Sequence, residues 1–189
     1  MRPRWILPVV LVVVIITAAA GLVTRAVYTR PVEEASAAVV RNENPVPPAE
    51  QPGDATVTAT TDAAAHPLYE TIRALLQTYF DSINNRNYDQ WRSVVSARRA
   101  KLAPEDAWRA AYRSSKDGSI TVYRIESGPT TSMARILLSF TSLQDPKDAP
   151  LELPEGCIRW KVVFPIALED DAWKLDSGPA SSAPQHEKC

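Results

Sequence analysis

The residues of this chain that could move a proton are few and poorly placed for it. Proton transfer needs a titratable side chain set in from solvent with a shifted pKa, so carboxylates, histidines and tyrosines are the groups to weigh. Asp81 falls on the polar face of a helical stretch, Asp89 follows a turn, and His66 and His186 lie in a linker and a C-terminal tail. Glu126 shares its side of a strand with Ile120 and Val122, but Arg124 lies on that side too, and the pair reads as an edge ion pair rather than a catalytic one. His186 and Cys189 in HEKC have a three-residue spacing, yet two donors in a terminal tail do not make a metal centre. There is no glycine-rich phosphate loop and no G-x-S-x-G. No catalytic residue, metal or cofactor is expected, and the function is sought in binding.

The element that must position everything else is Leu68 to Val95. At 100° per residue, Leu68, Tyr69, Ile72, Leu75, Leu76, Tyr79, Phe80 and Ile83 gather on one arc, with Glu70, Arg73, Gln77, Asp81 and Asn84 outside it. That is an amphipathic helix made to cover a sheet. Asn84-Asn85-Arg86-Asn87 reads as its turn. A second helix runs from Tyr88 to about Ser96, and a third starts at Pro104, with Glu105 and Asp106 beside its positive end. After Gly118 the period becomes two. Four strands are predicted, Ile120 to Ser127, Met133 to Ser142, Cys157 to Leu168 and Trp173 to Asp176, joined by short connections that make them antiparallel neighbours. The expected class is α+β, with N-terminal helices packed on a bent four-stranded antiparallel sheet.

Ahead of this domain the sequence changes character. Trp5 to Val23 is nineteen residues without a charge, long enough as a helix to cross a bilayer once. Residues 1–30 carry a charge of +4, residues 31–66 carry -5, and residues 67–189 are neutral. The expected organisation is an anchor over 1–30 with its transmembrane helix at 5–23, a Pro/Ala/acidic disordered linker over 31–66, a domain over 67–179 and a tail over 180–189. A short N-terminal tail and a long translocated domain favour a cytoplasmic N-terminus and an extracytoplasmic domain. The competing expectation is a secreted protein cleaved near Ala20, after Ala18-Ala19-Ala20.

Outside the cytoplasm a disulfide is permitted, and Cys157 and Cys189 are the only cysteines. If the last two strands pair about Glu169 to Asp171, the chain returning past Gly178 passes the start of the third strand, where Cys157 lies. A bridge there would pin the tail; free thiols and an intermolecular bridge through Cys189 stay open as alternatives.

The run TYFDSINNRNYDQWRSVVS, followed by a helix, four strands and a closing DDAWKLDSG, resembles the nuclear-transport-factor-2-like (cystatin-like cone) superfamily, including small membrane-anchored members of actinobacterial envelopes. The resemblance spans residues 67 to about 179. Less closely, it extends to the periplasmic domains of single-pass assembly proteins of type IV secretion. It implies a half-open cone whose mouth holds a small apolar ligand, an active site or a partner, with Tyr79, Trp91, Tyr123, Trp160 and Phe164 as the ligand-pocket candidates. A basic patch of Arg92, Arg98, Arg99, Lys101, Arg109 and Arg113 would meet an acidic partner surface or anionic lipid headgroups. The expected function is that of a non-catalytic, single-pass envelope protein whose domain binds a protein partner as an accessory or assembly subunit. The alternative is an apolar ligand or lipid in the cone, with a proton-transfer enzyme using Glu126 a third course. A membrane, a protein partner and a second copy of the chain are the expected partners; nucleic acid is not.

Overall fold

Ile72, Leu75, Leu76, Tyr79, Phe80 and Ile83 recur at helical spacing, and each is buried in the helix that they define, α2 (Tyr69–Asn84). This is the computed structural model of the chain; it describes residues 46–178 and 183–189. The expected membrane segment, Trp5 to Val23, lies outside the described residues. Among those described, no helix is long and apolar enough to cross a membrane.

Asn85 closes α2 and Arg86 follows with a left-handed backbone, φ 58°. The Arg86 guanidinium caps the helix end by donating to the carbonyls of Ile83 and, at 3.3 Å, Asn84. Three short helices follow. In α3 (Tyr88–Val94) the Asn87 side chain accepts from Gln90 N, and in α4 (Ala97–Leu102) the Ser96 hydroxyl accepts from Arg99 N. The third, α5 (Glu105–Ala111), begins after Pro104 with two acids in its first turn. The sequence led to two helices here rather than three. Ser96, expected to end the second, instead starts α4, because its hydroxyl satisfies an N–H that would otherwise lack a partner.

Among the described residues the sheet has six strands, against four expected. The four expected strands are present, β2 (Lys116–Ser127), which begins four residues before its predicted start, β3 (Met133–Leu143), β4 (Cys157–Glu169) and β5 (Ala172–Leu175), antiparallel in that order. The additions are β1 (Thr58–Ala59), parallel to β2, and β6 (Gln185–Lys188), antiparallel to the start of β4. β1 has two residues and β6, Gln-His-Glu-Lys, has no apolar one, so neither shows an alternation. Thirteen residues of β4 give its edge room for both β5, at Ile166 to Glu169, and β6, at Ile158 to Lys161.

The folded unit therefore starts at Val46, well before residue 67. Residues 46–66, expected to be linker, insert Val57 and Ala63 into the core. The Gln77 side chain holds this segment by accepting from Val57 N (2.9 Å) and donating to Ala55 O (3.1 Å). A short helix, α1 (Thr61–Ala64), follows β1. Upstream, the backbone of Gly53 (φ 83°) lies so close to Gly118 that a Cβ on Gly118 would stand 2.5 Å from the Gly53 carbonyl oxygen. Ser119 completes this clasp, donating from N to Asp54 O and from its hydroxyl to Pro52 O, both at 2.7 Å. Gly118→Ala is expected to cost about 2 kcal/mol by forcing the two backbones apart, measured as a fall in the urea midpoint of the full chain.

Of the tail expected over 180–189, residues 183–189 are not free: β6 docks there, and Cys157 and Cys189 are bridged with their Cα atoms 5.5 Å apart. The bridge sits where the antiparallel return of the chain was expected to bring it.

Candidate functional site

Two irregularities in β2 decide which side chains reach the interior. Its register with β3 shifts between Gly118 and Thr121 and again between Val122 and Arg124. A bulge places an extra residue on one strand and reverses the alternation beyond it. Inward positions therefore run Ile120, Val122 and then Ile125, while Arg124 and Glu126 turn outward. Glu126 meets Arg135 at 2.9 Å and Arg124 at 3.9 Å on the outer face. The expected sharing of a face with Ile120 and Val122 is overturned, and Glu126 is removed from any cavity.

The mouth is built from α4 and the end of β5. Ser96 donates its hydroxyl to Asp176 Oδ1 at 2.6 Å, and Arg98 reaches the same carboxylate through two N–H groups at 3.1 and 2.6 Å. Burial would raise the Asp176 pKa, but the hydrogen bonds from Arg98 and Ser96 outweigh it and hold the carboxyl below the usual carboxylate range. One residue on, a turn of about 100° along the helix aims Arg99 elsewhere. Its guanidinium lies 5.1 Å from the Tyr79 ring centre and 5.2 Å from that of Phe164, donating to Tyr79 OH (2.8 Å) and to the Asp176 carbonyl (3.2 Å).

Behind it, the hydroxyls of Tyr79 and Tyr112 are 3.5 Å apart. Repulsion from Tyr79 and then burial push the Tyr112 phenol well above its ordinary pKa. A phenol kept neutral in this way can share a hydrogen bond but does not exchange protons near neutral pH. Arg99, Phe164, Pro165, Asp176, Ser177 and Pro184 border an open hollow of about 320 Å³. Arg99 acts as the stopper between this hollow and the tyrosines. Arg99→Ala is expected to cost about 1–2 kcal/mol in urea unfolding, and Arg99→Lys to recover less than half of it, since an ammonium has no planar fork to span two rings.

The five ligand-pocket candidates do not form one pocket. Tyr79 and Phe164 meet edge to face, 5.6 Å between ring centres. Trp91 is 1% exposed, packed within the core against Tyr88 (5.5 Å) and Trp108 (5.7 Å). Trp160 stacks on Phe140 and against the His186 ring, and Tyr123, the bulged residue of β2, bonds Ser139 on the outer face. The basic patch is similarly divided. Arg98, Arg109 and Arg113 are bound to Asp176, Glu105 and Asp148, and Arg99 enters the mouth. Arg92 and Lys101 make no ion pair among the described residues.

Asp117 is the titratable residue that the sequence did not single out. It is 3% exposed on β2, accepts from the Ser142 hydroxyl at 2.5 Å, and exchanges two backbone bonds with the Asn84 side chain at 2.9 and 2.7 Å. Burial raises its pKa to about 6 against the lowering effects of Ser142 and Arg86. Nothing local in the sequence marks Asp117 as inward; Ser142, opposite it on β3, and Asn84, at the end of α2, are what cover it. None of the hollows described here is bordered by it.

No protein-family model and no curated protein matches the sequence. Among solved structures, the chain is similar to a SEC-C motif containing protein from Rhodopseudomonas palustris, with 15% identity and a TM-score of 0.46 over 64% of this chain and 82% of that one. A ketosteroid isomerase-like protein from Erwinia carotovora atroseptica aligns at 7% identity and TM-score 0.44, covering 65% of this chain and 97% of its own. The Δ5-3-ketosteroid isomerase from a Mycobacterium species aligns at 12% identity and TM-score 0.37, covering 60% and 96%.

Proposed function

We propose that this chain is a non-catalytic, single-pass envelope protein of nuclear-transport-factor-2-like type, whose extracytoplasmic domain binds a partner protein as an accessory or assembly subunit. The observation that carries this reading is the state of the interior. Where a proton-transfer site would need a titratable group open to a cavity, Arg99 is lodged between Tyr79 and Phe164, the buried Tyr112 phenol behind it is held neutral, and Asp117 is covered by Ser142 and Asn84. What this domain offers to other molecules is therefore its outer surface. The disulfide between Cys157 and Cys189 supports an oxidising compartment, and the uncharged stretch from Trp5 to Val23 supports an anchor.

The test is affinity capture of the full chain from detergent-solubilised membranes. A partner recovered in fixed proportion to the chain is the expected result; recovery of the chain alone, with Trp5 to Val23 still attached, would count against the proposal. The same preparation addresses the second reading, since a small apolar molecule co-purifying in native mass spectrometry would put the ligand in the hollow beside Arg99. N-terminal sequencing separates an anchored chain from one cleaved near Ala20.

A further inference from the structure

Of the two arginines that α4 brings to the mouth, only one meets a carboxylate. Arg98 is paired with Asp176, which also accepts from the Ser96 hydroxyl. Arg99 is half-buried and has no carboxylate within ion-pair distance among the described residues. Its two hydrogen bonds go to uncharged acceptors, Tyr79 OH and the Asp176 carbonyl, and a guanidinium carries more N–H groups than two bonds use. The hollow it borders is otherwise walled largely by carbon, from Val162, Phe164, Pro165 and Pro184. Asp176 and Ser177 add polar groups to that border, but the Asp176 charge is already met by Arg98. At about 320 Å³ the hollow is at the small end of the range that ligand pockets occupy.

We propose that this hollow binds an apolar monocarboxylate, its carboxylate on Arg99 and its body against Phe164, Pro165 and Pro184. This rests on the second reading above, a ligand beside Arg99, and adds the ligand's chemical class. Each half of such a molecule answers one half of the site. A charge-assisted bond to a guanidinium set among aromatic and aliphatic walls is stronger than the same bond in open water. A small inorganic anion would meet the charge and leave the walls bare. A neutral apolar molecule would cover the walls but strip water from the guanidinium without replacing its hydrogen bonds. A cation would be repelled, and a dianion would bring its second charge toward the Asp176 carboxylate. The same chemistry has two sources, a free acid and the C-terminal residue of a partner chain.

The experiment uses the full chain in neutral detergent, titrated by fluorine NMR with 4-fluorophenylacetate and its neutral isostere, 4-fluorophenylacetamide. The acid is expected to bind at least about tenfold more tightly than the amide, and added salt should weaken it. Because loss of Arg99 also costs stability, the charge is tested at Ser177, which borders the hollow. S177E is expected to weaken the acid at least about tenfold more than the isosteric S177Q does, with equal melting temperatures. The proposal is overturned if the amide binds as tightly as the acid, if S177E and S177Q bind the acid alike, or if neither probe binds. The first of these leaves a ligand in the hollow and removes only its carboxylate; the last removes the ligand reading as well and leaves the partner reading to the membrane capture. A tripeptide ending in 4-fluorophenylalanine with a free carboxylate separates the two sources. Binding tighter than that of 4-fluorophenylacetate, and lost in the peptide amide, assigns the site to a partner's C-terminus; weaker binding assigns it to a free acid.

Discussion

Replacing Asp117 with Asn is expected to make the domain more stable at pH 8, by about 1–2 kcal/mol, and to flatten its stability between pH 4 and 7. The Asp117 carboxyl has a folded-state pKa of about 6 against 3.8 for the free group, with burial the main cause. A raised pKa means that the fold prefers the protonated form. The contribution is fully present below the unfolded value, and it is lost as pH rises through the folded value, a change of about 3 kcal/mol for a shift of this size. Asn keeps an acceptor for the Ser142 hydroxyl without the charge. Asp148 and Asp176 act in the opposite sense. Hydrogen bonding by Arg113 lowers the first; for the second, burial is outweighed by the bonds from Arg98 and Ser96. Their contributions are present above the unfolded pKa and fall away in acid, so the acid limb should survive in Asp117→Asn. Urea unfolding of both proteins from pH 3 to 8 measures all of this. A variant destabilised at pH 8 would mean that the carboxylate is used in its charged form, with Arg86 as its counter-charge.

Loss of the Cys157–Cys189 bridge should have an effect of similar size. The two residues are 32 apart in sequence, and freeing a loop of that length costs about 3–4 kcal/mol in the chain-entropy account. Cys189→Ser should lower the urea midpoint accordingly and detach β6 first, because that strand is otherwise held by four residue pairs with β4, a backbone bond from Cys189 N to Cys157 O, and contacts such as Trp160 against His186. Trp160 fluorescence therefore reports the first step. Mass spectrometry of the chain, purified without reductant, before and after reduction should show the loss of two hydrogens in one molecule; two free thiols, or a dimer linked through Cys189, would refute the intramolecular bridge.

The elements with many repeats of their own period were readable from sequence, and the site was not. Ile72 to Ile83 repeats its apolar spacing often enough to fix both the helix and its buried face, and β3 and β4 alternate over eleven and thirteen residues. The pairing of β4 with β5 about Glu169 to Asp171 made a Cys157–Cys189 bridge one of the open alternatives, and it is the one the structure contains. Bulges leave no such signal. One extra residue at Tyr123 turned Glu126 from an inward candidate into a partner of Arg135. Arg98 and Arg99 are adjacent in sequence and alike in type, yet Ser96 starts α4 so that one pairs with Asp176 and the other enters the mouth. The missed residue, Asp117, is covered by Ser142 and Asn84 from distant parts of the chain, and the residue after it, Gly118, meets Gly53 across sixty-five positions; no local pattern contains either contact.

That glycine contact also bears on load. A chain tethered from its N-terminal side transmits any pull first into residues 46–54, where the Gly53–Gly118 clasp and the two bonds of Ser119 take the strain ahead of β1. β1 has two residues and would peel readily if it met the force directly. The clasp is thus the mechanical fuse of the domain: under tension Gly118→Ala should yield at lower force than wild type, even in conditions where both remain fully folded at rest.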